Sequence, residues 1–171
     1  AVYLFDSRAM YERWQYDLLD GQDAQGNLPN IAPGPGFDGY NSPWWGGMIV
    51  WIPWKLYELT GDLRFLEDGY DAMKAYVDFL DNTAGPGHQI TWFGLQDWGG
   101  LGGSGDVNTL GFYFHAKALG KTASLLGKTT DAVKYSTLAD EIGSLFSESS
   151  YGNPLALCLG LVPGDKRFAA E

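Results

Sequence analysis

Apolar positions recur along this chain mostly at the spacing of the α-helix. Met10, Trp14 and Leu18 stand four residues apart and predict a helix from about Arg8 to Leu19, which Asp6 or Ser7 can cap and Gly21 ends. From Trp45 to Leu59 the residues are apolar almost all round, through Met48, Ile49, Val50, Trp51, Ile52, Trp54, Leu56 and Tyr57. A helix with no polar face must be shielded by other helices, so this one is an inner helix. Pro53 in its middle predicts a kink. After Gly61-Asp62 a helix to about Asp81 carries Phe65, Leu66, Tyr70, Met73, Tyr76, Val77 and Leu80 with acids between them, the pattern of an amphipathic outer helix. Glu67, Asp68, Asp71 and Asp78 read as its solvated face. A further helix runs from about Val107 to Leu126 and is closed by Gly127. Thr130 caps the next, from Asp131 to about Phe146, with Ala132, Tyr135, Leu138, Ile142 and Leu145 inward. A short helix over roughly Pro154 to Leu161 and a turn at Pro163-Gly164 complete the pattern.

The order repeats. An inner helix ends at Leu59-Thr60-Gly61-Asp62 and an amphipathic helix follows; another ends at Leu126-Gly127-Lys128-Thr129 and an amphipathic helix follows. Gly61 and Gly127 are 66 residues apart. Repeated helical hairpins build either a superhelical solenoid or a closed toroid of inner and outer helices. Solenoid repeats have short, regular loops. Here a long connection rich in Gly and Pro spans residues 22–43, and a second spans 92–105. Long loops at one end favour the toroid, with a site at that mouth. The expected fold is therefore all-α, a set of inner and outer helix hairpins in one domain.

Composition narrows what such a domain binds. The chain has 171 residues, 45% apolar and 19% charged, which is globular and long enough for a real core. Its net charge of −10 argues against nucleic acid and anionic membranes, which need a basic footprint. No apolar run approaches the ~20 residues of a membrane span. The single cysteine, Cys158, sits among leucines and reads as a buried, inert thiol. His88 and His115 are far apart and belong to no zinc-ligand motif, so no metal or cofactor is expected. Ala1-Val2-Tyr3-Leu4-Phe5 runs straight into the first helix and reads as a chain cut from something longer.

The 15% of aromatic residues is where the chemistry lies. Two Gly-flanked segments each precede a helix: Asn41-Ser42-Pro43-Trp44-Trp45-Gly46-Gly47, and Thr91-Trp92-Phe93-Gly94-Leu95-Gln96-Asp97-Trp98-Gly99-Gly100. Indole faces stack on the C–H faces of sugar rings, and carboxylates accept sugar hydroxyls. Taken singly, each Trp is better read as a core anchor; taken as two similar loops, they point to a sugar site. Asp97 is the best-placed acid and Asp38 a weaker second, so no convincing carboxylate pair for glycoside hydrolysis is present. Gly100-Leu101-Gly102-Gly103-Ser104-Gly105 matches a dinucleotide-binding pattern, but no buried strand precedes it and Ser124, Leu125 and Leu126 stand where an acid is needed. Gly127-Lys128-Thr129 resembles the end of a phosphate-binding loop, but Thr122 stands where its first glycine belongs.

At this point the residues resemble a known family. Trp14-x-x-Asp17-Leu18-x-x-x-Gln22, Leu28-Pro29, Ala32-Pro33, Trp45-Gly46, Ile52-Pro53-Trp54-x-x-Tyr57 and Gly61-Asp62 follow, in order and spacing, the α-L-rhamnosidases of glycoside hydrolase family 78. Phe93-Gly94 with Asp97-Trp98, then Leu119 to Gly127, Asp131-Ala132, Tyr135, and Ala156-Leu157 through Gly160-Leu161-Val162-Pro163 continue the same order. Each motif is short; their succession over nearly the whole chain is the specific part. One departure is local: the family tends to place Gly-Asp-Trp directly after Phe, whereas Leu95-Gln96 intervene here before Asp97.

The resemblance implies that residues 1–171 are a single fragment of an (α/α)6 catalytic barrel. It implies inverting release of terminal α-L-rhamnose by a glutamic acid and a glutamate. It places Trp45 and Trp98, with Asp97, in the rhamnose pocket. It also implies that the catalytic pair lies outside this chain, so that the partners expected are a rhamnoside substrate and the remainder of the catalytic domain. Two other readings remain open from the residues: a non-catalytic helical module binding glycans or proteins through the same loops, and another (α/α)6 glycosidase such as a trehalase-like or glucoamylase-like enzyme.

Overall fold

The computed structural model describes residues 5, 7–34, 42–91, 104–146 and 154–163. Every regular element among these is helical: α1 (Arg8–Gly21), α2 (Pro43–Gly46), α3 (Met48–Thr60), α4 (Arg64–Ala84), a 3₁₀ turn at Gly85–Gly87, α5 (Ser104–Leu125), α6 (Thr129–Gly143) and α7 (Pro154–Cys158). None of these helices is long and apolar enough to cross a membrane.

The helices pair as the repeat predicts. α3 packs on α4 and α5 on α6, α4 and α3 both meet α5, and α1 lies against α3 and α4. The two hairpins close through like turns. Gly61 and Gly127 take left-handed φ values of 71° and 70°, which residues with a Cβ adopt only under strain. In the second turn the Lys128 N–H bonds the Ala123 carbonyl at 2.8 Å and Gly127 bonds Ser124 at 3.2 Å, satisfying the last carbonyls of α5.

The inward face of α4 is as expected: Phe65, Leu66, Tyr70, Met73, Tyr76, Val77 and Leu80 are all buried. Gly69 lies on the same face, and a Cβ there would sit 3.0 Å from Gln15 Nε2 and 3.5 Å from Pro53. Its missing side chain lets α1 and α3 converge on α4. Buried Gln15 of α1 then donates to the Phe65 carbonyl at 3.0 Å, and Pro53 fills the space beside it within α3.

Several expectations give way to geometry. The helix expected from Trp45 is two pieces: a single turn, Pro43–Gly46, ends at Gly47, and α3 starts afresh at Met48. Met10 is 56% exposed, because steps of four residues drift by about 40° each around a helix and the stripe leaves the buried face. Ser7 holds the cap position of α1 without a side-chain bond to it. Thr130 lies inside α6, which starts at Thr129 with no side-chain cap; Leu145, beyond the helix end at Gly143, is 39% exposed. Ala132 is half-buried. Cys158 is exposed: α7 buries Ala156, and a residue two positions on points to the far side of a helix. Asp78 is half-buried rather than free on a solvated face. It accepts from Lys74 and Lys134 at 2.7 Å each and from the Tyr135 hydroxyl at 2.8 Å, tying α4 to α6. Gly164 lies outside the described residues.

Candidate functional site

The hairpin geometry sorts the loops by end. α3 and α5 run toward the short glycine turns, so their first residues lie at the other end, where α1 and α4 finish. The described ends of two connections, Gln22 and Ser42, and His88 and Ser104, therefore lie at this end. Ile90 is tied down there, its N–H donating to Thr109 Oγ1 of α5 at 3.1 Å.

A cavity of about 370 Å³ opens here. Trp14 and Leu18 of α1 form one wall. Pro29, Asn30, Ile31 and Ala32 form a second, and Trp44, Trp45 and Met48, at the entry to α3, form the third. Its walls are fixed by hydrogen bonds at their backs. Trp14 Nε1 donates to the Ala32 carbonyl at 2.7 Å. The Ser42 N–H donates to Asn30 Oδ1 at 3.0 Å. Trp44 Nε1 donates to the Val107 carbonyl at 2.7 Å, and its ring stacks on Phe114 with centroids 5.9 Å apart.

The turn that presents the two tryptophans is seated by absent side chains. A Cβ on Gly46 would lie 3.1 Å from the Tyr76 hydroxyl and 3.4 Å from the Leu28 carbonyl. One on Gly111 would lie 2.9 Å from Pro43, so α5 also touches the turn directly. The tightest approach is at Gly47, where a Cβ would meet His115 Nε2 at 2.0 Å. His115 is fully buried, edge-on to Tyr76 and Phe114. Its Nε2 stands 2.7 Å from the Pro43 carbonyl, which requires an Nε2–H donor. Burial pushes its pKa down to about 4, against a smaller upward pull from Pro43, so the ring is neutral at neutral pH.

Trp45 thus lies on the cavity, half-buried, at the loop-bearing end, with Trp51 and Trp54 farther along inside α3 and Trp54 9% exposed in the core. Asp97, Trp98 and Asp38 lie outside the described residues. Trp14, Asn30 and Met48 were not singled out as site residues from the sequence, and Trp44 stood in the first aromatic segment without being placed in the pocket. Trp14 read as one member of a helix stripe and Met48 as one apolar residue in an inner helix. The usable signal was the Gly- and Pro-rich connection after α1, whose residues 29–32 line the cavity with Trp14 and Leu18.

Chemically the lining is aromatic and aliphatic, with the Asn30 amide as its polar side chain and no Asp, Glu or His among the residues named. Such a wall can stack on a ring and orient it; it cannot move a proton. The His88 ring is elsewhere, with Nδ1 2.9 Å from Asp81 Oδ1 and Nε2 3.5 Å from Glu141. Among the described residues no group of three or more His, Cys, Asp or Glu could hold a metal ion. A second concavity, by the turn at the opposite end, is lined by Arg8, Glu12, Asp62, Arg64 and Asp68. Its charges serve each other: hydrogen bonds from Arg64 hold the Asp62 carboxyl down at about 2.

Known proteins share both the sequence pattern and the helical arrangement. The pattern of the bacterial alpha-L-rhamnosidase 6 hairpin glycosidase domain matches residues 1–170. An alpha-L-rhamnosidase of Formosa agariphila is 29% identical over 162 residues, covering 86% of this chain and 17% of that protein. The structure of alpha-L-rhamnosidase from Dictyoglumus thermophilum superposes with a TM-score of 0.84 at 32% identity, covering 95% of this chain and 21% of that one. A Streptomyces avermitilis alpha-L-rhamnosidase, solved in complex with L-rhamnose, gives 0.82 at 28%, covering 96% of this chain and 17% of its own. The chain thus spans about a fifth of the length of the relatives it matches, and its paired inner and outer helices are part of an (α/α)6 barrel. By the match over residues 1–170, the chain belongs to the bacterial α-L-rhamnosidase six-hairpin glycosidase family.

Proposed function

We propose that these residues form part of the sugar-binding wall of a glycoside hydrolase that releases terminal α-L-rhamnose with inversion. The observation that carries the reading is Trp45 on an aromatic cavity at the loop-bearing end of the helices. In this reading the Trp45 indole meets the C–H face of a sugar ring, and Trp14 and Met48 line the same cavity beside it. Asp97 and Trp98, from the second aromatic segment, complete the pocket in this proposal. The relative bound to L-rhamnose supports the choice of sugar.

Inverting hydrolysis needs a general acid and a general base on opposite sides of the scissile bond. The described lining of the cavity holds no Asp, Glu or His, and in this proposal both groups come from the remainder of a single catalytic domain to which residues 1–171 contribute a fragment. Each proton transfer is typically worth roughly 10²–10⁴-fold, so the isolated chain should not turn over an aryl α-L-rhamnoside. In the intact protein, turnover should be present and Trp45→Ala should raise KM for the rhamnoside. Turnover by the isolated chain that Asp97→Asn abolishes would overturn the assignment of proton transfer to other residues. An unchanged KM in folded Trp45→Ala would remove Trp45 from the pocket.

A further inference from the structure

The aromatic wall hangs on a turn of four residues, too short to hold itself. Two tryptophans sit between Pro43 and Gly46, and what fixes them must come from outside the turn. Trp44 is held by its bond to Val107 and its stack on Phe114. The backbone under both is held at its two ends by one side chain. His115 Nε2–H reaches the Pro43 carbonyl at 2.7 Å, and the same carbonyl accepts the Gly47 N–H at 3.0 Å. The imidazole also fills the space that a side chain on Gly47 would occupy. One ring therefore bonds the first residue of the turn and abuts the residue just after it.

Packing alone does not ask for histidine here. The site is fully buried among Tyr76, Phe114 and Trp44. A phenyl ring would fill it without burying two ring nitrogens. Nδ1 has no hydrogen-bond partner among the described residues, so the histidine carries the penalty of a buried polar atom. What it gains over phenylalanine is a single donor, aimed at Pro43.

We infer that His115 is a positioning residue for the sugar wall, acting through its Nε2–H bond to the Pro43 carbonyl to set the pose of Trp44 and Trp45. This rests on the proposal that Trp45 contacts the sugar. His115 itself does not line the cavity. Its effect is transmitted by the turn: without the bond, the Pro43–Gly47 segment can lift from α5, and the indole of Trp45 leaves the angle at which it meets the ring.

Three variants in the intact protein separate the claims, each assayed for KM and kcat on an aryl α-L-rhamnoside and for thermal unfolding. His115→Phe keeps a ring and removes the donor; His115→Gln restores an N–H donor; Trp45→Ala removes the proposed sugar contact. A smaller folded fraction lowers apparent kcat and leaves KM alone, so KM reports the wall. The expected result is a folded His115→Phe with KM raised about tenfold, the scale of one lost hydrogen bond, and His115→Gln within about threefold of the parent. A folded His115→Phe with parental KM, while Trp45→Ala is impaired, overturns the role of His115 and leaves the pocket standing. An unfolded His115→Phe, or one equalled by His115→Gln, makes the histidine a packing residue and also overturns it. A folded Trp45→Ala with parental KM refutes the pocket itself, whatever His115 does.

Discussion

Gly47→Ala puts the seating of the aromatic turn to a direct test. Gly47 has φ −66° and ψ 1°, a conformation that alanine adopts freely. On backbone grounds alone the substitution should stabilise the protein, by about 0.4–1 kcal/mol, because alanine loses less freedom on folding. Space says the opposite. The new Cβ would lie 2.0 Å from His115 Nε2, 2.3 Å from its Cε1 and 2.1 Å from the Pro43 carbonyl oxygen. None of these can yield cheaply: the carbonyl is backbone, and the imidazole is fully buried between aromatic rings. Forcing a methyl into a packed site costs about 1–3 kcal/mol. Pushing the imidazole off Pro43 leaves a buried N–H and a carbonyl poorly paired, about 1–3 kcal/mol more. The clash outweighs the entropy, and a net loss of about 1–6 kcal/mol is expected, read from urea unfolding of the intact protein. Gly61→Ala is the comparison. There φ is 71° and nothing lies within 4 Å, so the loss is backbone strain alone, about 1–2 kcal/mol. A neutral or stabilising Gly47→Ala would refute the close seating of the turn on His115.

Two further outcomes concern charge. His115 binds its proton more weakly folded, at about 4, than unfolded, near 6.5, so the unfolded chain holds more protons between those values. Stability is then full above about 6.5 and falls as the pH drops toward 4, by up to about 3 kcal/mol; urea midpoints across that range should show the loss, and His115→Phe should lack it. Asp78 accepts from Lys134, Lys74 and the buried Tyr135 hydroxyl, and although burial acts to raise its pKa these bonds hold it below the usual range. Asp78→Ala should therefore cost about 1–3 kcal/mol, mostly by stranding the Tyr135 hydroxyl, and a loss under about 0.5 kcal/mol would make it an ordinary surface pair.

The hairpin repeat was legible because it is written in local patterns. The seven inward positions of α4, the apolar run of α3, and the two glycine turns depend only on residues a few places apart, and all appear in the structure. Where the reading slipped, the deciding partner was distant or the period was wrong. Gly46-Gly47 was visible as a glycine pair, but its meaning as a break in the helix depends on His115, far along the chain. Asp78 belonged by pattern to a polar face; two lysines and a tyrosine, one lysine from its own helix and the others from α6, draw it into an interface. Cys158 looked buried because its neighbours are leucines, and a short helix turned it outward. Of the cavity lining, Trp45 stood in a Gly-flanked aromatic segment of the sequence. Trp14 was not legible, because a tryptophan on an amphipathic helix looks the same whether it faces a core or a cavity.

Glycine does two different jobs at the two ends of these hairpins. At Gly61 and Gly127 nothing crowds the missing side chain, and φ near 70° is the whole reason for the residue. These turns need only conformation, so they can be short, and they fix how each inner helix meets its outer partner. At Gly46, Gly47 and Gly111, by contrast, no positive φ is required, and neighbouring atoms occupy the space a Cβ would take. These glycines let backbone and rings come together at the loop-bearing end, where Trp14, Trp44 and Trp45 gather around a cavity. A fold built from the first kind alone would be a stack of hairpins with no particular surface. The second kind ties the α2 turn to α5 through His115 and to α4 through Tyr76, so the aromatic wall is carried by both hairpins at once. The position of that wall is therefore set by the packing between α3, α4 and α5, which is what the proposed sugar contact at Trp45 requires.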